Sequence, residues 1–220
     1  MKKYIVFFRK KGYLIYISSL DTVQVIIRAL RRAKIPFTYT EGFSPHPKLS
    51  FSPSLSLGFS SNGEFFEIEL KEEWSKERLK ENLNQELPSF LRVVRIRDDI
   101  SNVFSNLYAH SFTILAKKDK KGDLKEKIYS IIGDEKGEII KINKKGRKVT
   151  YLLRDYIHSI DIIENERYLV IDLILYIKEG KSLNPKDIIE HLRNLTCSLY
   201  PYRIKRTGFF IKEGKRLVKI

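Results

Sequence analysis

The constraint that narrows the fold most is the order in which two apolar periods alternate along the chain. Residues 4–8, Y-I-V-F-F, are aromatic and β-branched, which favours a strand, and residues 13–17 read as more strand after a Lys11-Gly12 turn. Val23, Ile26, Ile27 and Leu30 then recur at i, i+3, i+4 and i+7, the spacing that lines one face of a helix. Ser18, Ser19 or Asp21 can accept the free backbone N–H groups at its start, and Pro36 ends it. Residues 37–40 read as a short strand. In residues 49–57, Leu49, Phe51, Pro53, Leu55 and Leu57 alternate with four serines, and Pro53 requires an edge position or a bulge. Ser61-Asn62-Gly63 carries a hairpin turn signal, and residues 64–70 return as a strand. Ser75 caps a helix to about residue 87, with Leu79 and Leu83 inside, and residues 90–96 form a strand.

The first half therefore reads β-α-β-β-α-β, the ferredoxin-like order. Residues 98–106 are polar and read as a linker. The pattern then repeats. Residues 108–116 read as a strand, Asp123 caps a helix carrying Leu124, Ile128 and Ile131, and residues 138–142 and 149–153 are short strands around N-K-K-G-R-K. Residues 157–163 and 168–177 are β-rich, Asn184-Pro185 starts a helix with Ile188, Ile189 and Leu192 inside, and residues 202–204 and 209–211 are the last strands. The expected class is α+β: a tandem ferredoxin-like fold, β-α-β-β-α-β twice, with two antiparallel sheets and helices on one face of each. The expected domains are residues 1–98 and 107–220.

Charge says most about partners. With 42 Lys+Arg against 27 Asp+Glu the net charge is +15, while hydrophobic content of 42% still allows a core. A charged surface built for thermal stability would be balanced in sign. An excess of one sign points to a polyanion, most often nucleic acid. One cysteine, Cys197, excludes an internal disulfide and a cysteine-cluster metal site, and fits a reducing cytoplasm. The apolar run in M-K-K-Y-I-V-F-F-R-K-K-G is too short for a signal sequence, and no run approaches a membrane span. Neither a phosphate-binding glycine loop, nor H-E-x-x-H, nor G-x-S-x-G occurs. His110, His158 and His191 have no second ligand at metal spacing, so no metal and no cofactor is expected.

Residues 40–52, T-E-G-F-S-P-H-P-K-L-S-F-S, hold two of seven prolines and one of four histidines. A residue before proline is driven out of the helical region, so S-P-H-P runs extended and stiff. Such a loop presents Phe43, His46 and Lys48 at low entropic cost: a ring that stacks, an imidazole and a cation. Arg28, Arg31 and Arg32 lie off the apolar stripe of the preceding helix, either as a solvated face or as guanidinium forks for phosphates. Further basic clusters are Lys117, Lys118, Lys120 and Lys121; then Lys141, Lys144, Lys145, Arg147 and Lys148; then Arg203, Lys205 and Arg206. Tyr200, Tyr202 and Phe209 interleave with the last cluster, as rings for unpaired bases or as core residues of a final strand.

The run S-S-L-D (18–21), R-A-L-R-R-A (28–33), I-P-F-T-Y-T-E-G-F-S-P-H-P-K-L-S-F (35–51), L-S-L-G (55–58) and S-N-G-E (61–64) resembles an uncharacterised bacterial domain family. That family is fused to, or encoded beside, cobalamin-binding radical-SAM proteins. The match by motif covers about the first 70 residues. The resemblance implies an accessory protein. This chain lacks the C-x-x-x-C-x-x-C cluster loop, so its radical-SAM partner would be a separate chain. The tandem layout is also similar to CRISPR repeat-processing endoribonucleases, an analogy of fold.

Three functions follow as expectations. The leading one is a cytoplasmic, non-metallic RNA-binding accessory protein that presents RNA to the radical-SAM partner. In it, Arg28, Arg31, Arg32, Lys144, Lys145, Arg147, Lys148, Arg203 and Arg206 meet phosphates, and Phe43, His46 and Lys48 contact the substrate. The second is a metal-independent endoribonuclease in which His46, Lys48 and Tyr39 supply acid, base and cation. The third is a protein-binding scaffold whose charge meets an acidic partner.

Overall fold

The structure, a computed structural model, describes residues 1–100, 102–118, 124–134, 137–142, 146–196, 199–214 and 216–220. It is a mixed α+β fold that divides into two units, Met1–Asn106 and Leu107–Ile220.

In the first unit, β1 (Lys2–Lys10) grows from the aromatic and β-branched run and is buried on both faces from Tyr4 to Phe8. Residues 13–17, expected as strand, fall mostly in a short 3-10 helix, Gly12–Tyr16, instead. Gly12 sits at φ +56°, a left-handed conformation that glycine adopts without a Cβ clash, and an added Cβ would stand 2.7 Å from the Phe90 ring. That turn swings Tyr13 edge-on to Phe90, with centroids 5.1 Å apart, and takes the segment out of the ladder.

Helix α1 (Ser19–Arg32) starts at a capping box, in which Ser18 Oγ accepts from the Asp21 amide at 3.0 Å and the Asp21 carboxylate accepts from the Ser18 amide. Its buried stripe is Thr22, Ile26, Ala29 and Leu30, whereas the expected Val23 and Ile27 are only half-buried. Small Ala29 is fully buried, which turns the inner face away from Val23 and Ile27. Strand β2 (Leu49–Phe51) is short, because Pro53 has no N–H to continue the ladder expected to residue 57. The chain reverses at residues 56–59, with Gly58 at φ +82°, and not at Ser61-Asn62-Gly63, which lies inside β3 (Ser60–Leu70). Helix α2 (Lys76–Glu86) is capped by Ser75, and β4 (Leu91–Arg97) follows. The sheet order is β4-β1-β3-β2, with every pair antiparallel. One core joins Tyr4, Val6 and Phe8 to Phe66, Ile68, Ile26, Leu30, Leu79 and Leu83. The expected linker belongs to this unit: Val103 is fully buried, and Phe104 packs 5.4 Å from Phe65.

In the second unit, β5 (Leu107–Lys117) is followed by α3 (Leu124–Gly133), β6 (Glu138–Ile142), β7 (Lys148–Leu152) and the single-turn α4 (Leu153–Tyr156). Then come β8 (Ile157–Glu164), β9 (Tyr168–Tyr176), α5 (Pro185–Thr196), β10 (Tyr202–Glu213) and β11 (Arg216–Lys219). The main sheet of the unit runs β10-β5-β9-β8, with β11 beside β10. β6 and β7 pair only with each other among the described residues, as a separate small sheet inserted after α3. The cap expected at Asp123 lies outside the described residues; Glu164 accepts from the Lys125 amide at 2.8 Å and the Leu124 amide at 3.3 Å.

Candidate functional site

Beyond α1 the chain builds a narrow projection. The Thr40 amide donates to the His46 carbonyl at 2.8 Å, the His46 amide to Thr40 Oγ1 at 2.9 Å, and the Lys48 amide to the Thr38 carbonyl at 2.9 Å. A bridge between Tyr39 and Pro47 joins the same two arms. Phe37 anchors the base: it is buried, and its ring lies 5.1 Å from that of Tyr39. The tip, residues 41–45, turns at Gly42 with φ +138°. Phe43 stands wholly in solvent, with an exposure of 113%. Glu41, His46 and Lys48 are exposed on the same projection. A free aromatic ring of this size on a braced loop is ready to stack or to insert.

Arg28, Arg31 and Arg32 are all exposed on α1. Arg32 is engaged: its Nε donates to Glu86 Oε2 at 2.7 Å and a terminal nitrogen to the Glu86 carbonyl at 2.7 Å, tying α1 to α2. Arg28, Arg31 and Lys48 have no carboxylate partner among the described residues. The His46 ring has no hydrogen-bond partner there either.

Other basic residues divide. Arg147, Lys148 and Arg203 are exposed. Lys141 pairs with Asp187, and Lys118 with Glu164 in a largely buried ion pair. Lys120, Lys121, Lys144, Lys145 and Cys197 lie outside the described residues. Arg206, expected to meet phosphate, is buried, with 3% exposure. Its guanidinium packs over the rings of Phe209 (4.8 Å) and Phe112 (5.4 Å), so phosphate in solvent does not reach it. Phe209 is likewise a core residue, while Tyr200 is 57% exposed beneath the guanidinium of Arg193. The Tyr202 hydroxyl donates to Glu190 Oε1 at 3.0 Å; burial and that carboxylate push it up to about 12.

A polar cluster in the first unit escaped the sequence reading. Lys10 is 2% exposed, and its Nζ donates to the Ile17 carbonyl at 2.9 Å. Burial lowers its pKa, against the opposing pull of the Glu64 and Asp21 carboxylates. Buried Ser52 donates from Oγ to Glu64 Oε2 at 3.1 Å. These groups border a half-open pocket of about 40 Å³ also lined by Phe8, Val23 and Leu55, with room for little more than water. The signal for Lys10 was present, because the period of two through Tyr4, Val6 and Phe8 carries inward to residue 10. A larger cavity of about 510 Å³ lies between Lys3, Glu67, Asp98, Asp99, Asn102 and Phe104, but its carboxylates are engaged. Asp98 accepts from Lys76 at 2.8 Å, and Arg97 holds Asp99 at about 2 through paired hydrogen bonds of 2.8 and 2.9 Å. No group of three metal-ligating side chains occurs among the described residues, and no described helix is long and apolar enough to cross a membrane.

Comparison with solved structures finds a chain in "Crystal Structure of a Cbf5-Nop10-Gar1 Complex" with a TM-score of 0.50 and 11% identity. The match covers 94% of this chain and 48% of that one, so this chain spans about half its length, and at such identity the likeness concerns the fold alone. A crystal structure of an unknown protein from Galdieria sulphuraria aligns over 100% of this chain and 98% of that one, at 9% identity and a TM-score of 0.25, too low to carry an argument. No curated protein matches. A family model matches residues 3–185, which take in nearly all of the first unit and most of the second. The chain therefore belongs to that family, described as an uncharacterised protein conserved in bacteria (DUF2344).

Proposed function

We propose that this protein is an RNA-binding accessory protein that presents its RNA to a separate radical-SAM partner. Both units are read as ferredoxin-like, since each places its strands in the order fourth, first, third, second, the second unit carrying the β6–β7 hairpin as an insertion. The observation that carries the RNA reading is the projection of residues 38–48. It holds a wholly exposed Phe43 and an exposed Lys48, in a chain of net charge +15, with Arg28 and Arg31 on the preceding helix having no carboxylate partner among the described residues. Rings take unpaired bases and cations take phosphates. The radical-SAM partner is supported by the sequence resemblance of residues 18–64.

The test is binding and cleavage of RNA by the purified protein, with chelator present, at low and high salt, for wild type, Phe43→Ala and His46→Ala. The expected result is binding that weakens with salt, no cleavage, and a loss of about fivefold or more in Phe43→Ala. Cleavage abolished in His46→Ala would replace this reading with the endoribonuclease. Absence of binding across a total cellular RNA pool would leave the protein scaffold.

A further inference from the structure

The second unit carries a line of rings and cations along one end of its sheet. Lys212, near the end of β10, sits 5.0 Å over the ring of Tyr108 at the start of β5. Tyr108 meets Tyr176, the last residue of β9, edge to face at 5.4 Å. The Tyr176 ring in turn lies 5.1 Å from His158 at the start of β8, and its hydroxyl shares a 2.7 Å hydrogen bond with His158 Nδ1. The line thus crosses one end of the sheet in strand order β10-β5-β9-β8. Lys178, in the turn after β9, extends it sideways: its Nζ lies 6.0 Å from Tyr176 and 5.0 Å from Tyr156, the last residue of α4.

The three tyrosines are half-buried, so their rings are held by the fold, while His158, Lys178 and Lys212 are exposed. Neither lysine has a carboxylate partner among the described residues, although Glu179 and Glu213 are their chain neighbours. An ammonium resting on a ring with no anion to neutralise it is held weakly, and a phosphate offers it more. Once the ammonium moves to the phosphate, the ring face is open to a base. Rings braced on strand ends and flanked by swinging cations match a single strand, whose bases are unpaired and whose backbone lies close to them. A duplex hides those base faces.

We infer that the sheet end bearing Tyr108 and Tyr176, with Tyr156 of α4 at its side, is a binding platform for single-stranded RNA, with Lys178 and Lys212 on its phosphates. The inference rests on the RNA-binding reading above and adds to it the strandedness of the RNA and a second contact surface, independent of the Phe43 loop.

The experiment is fluorescence anisotropy of the full chain with a labelled oligouridylate and with a labelled RNA duplex. Wild type is compared with Tyr176→Leu, with Lys178→Ala/Lys212→Ala and with Phe43→Ala, after a thermal melt of each. Tyr176→Leu is expected to weaken the single strand about 5- to 150-fold and to leave the duplex unchanged. The double lysine variant, altered only at exposed positions, is expected to flatten the plot of log affinity against log salt by about 1.4. If wild type binds the single strand, Phe43→Ala weakens it, and both platform variants bind like wild type, the platform is wrong while the RNA reading stands. Equal affinity for duplex and single strand also overturns the platform. If wild type binds neither RNA, the underlying reading falls and the platform with it.

Discussion

His110 is where a single residue most clearly sets a property of the folded chain. It is buried at 5% exposure, its Nε2 shares a 2.8 Å hydrogen bond with Ser182 Oγ, and its Nδ1 has no hydrogen-bond partner among the described residues. Burial, aided by the nearby Arg206 charge, holds it down to about 3 from an ordinary 6.5. Between those values the unfolded chain takes a proton that the folded chain refuses. The contribution is therefore whole above about pH 6.5 and is lost as pH falls towards about 3, at a slope of about 1.4 kcal/mol per pH unit. Urea unfolding across that range is predicted to show a pH dependence steeper by this slope in wild type than in His110→Gln; an equal dependence in both would contradict it. Arg206 carries a related lesson. Its chemistry was legible and its address was misread, because the period of two through Ile204 pointed it inward, as it did Lys10. At both residues burial follows the alternation and not the charge.

At the scale of elements, local signals succeeded where they were redundant. Both ends of α1 were marked, by the Ser18/Asp21 capping box and by Pro36, and the helix lies between them. Ser18→Ala removes the cap and is predicted to cost about 1 kcal/mol, read as a lower denaturation midpoint with an unchanged slope against denaturant. An unchanged midpoint would mean that the Asp21 carboxylate alone holds the turn. Composition misled where a single glycine decided the path. The aromatic and β-branched residues 13–17 suit a strand, yet Gly12 at φ +56° and the Phe90 ring beside it select a 3-10 turn. Gly58 took the reversal that Asn62-Gly63 advertised, leaving those residues inside a strand. The extended, projecting character of S-P-H-P was readable because proline limits the backbone directly. The pairing of the arms through Thr40 was not, since it depends on side-chain geometry across six residues.

At the scale of the whole molecule, order along the chain proved more legible than extent in space. The alternation of strand and helix periods gave most elements of both units, but not β11, the single-turn α4 or the joining of residues 202–204 and 209–211 into one strand, and not that β6 and β7 stand apart from the main sheet, because each has the length and composition of a sheet strand. The platform at the end of the second sheet was not legible at all. Tyr108, Tyr156, His158, Tyr176, Lys178 and Lys212 are scattered over about a hundred positions and meet only through the strand order. What unites both units is charge, +15 over the chain, much of it exposed. The central claim, RNA binding through phosphates and rings, is tested most directly by the affinity for a single-stranded RNA measured across a series of salt concentrations. We predict that log affinity falls linearly with log salt, with a slope steeper than about −2, which corresponds to three or more phosphate contacts. A flat line, or no binding at low salt, would contradict the account.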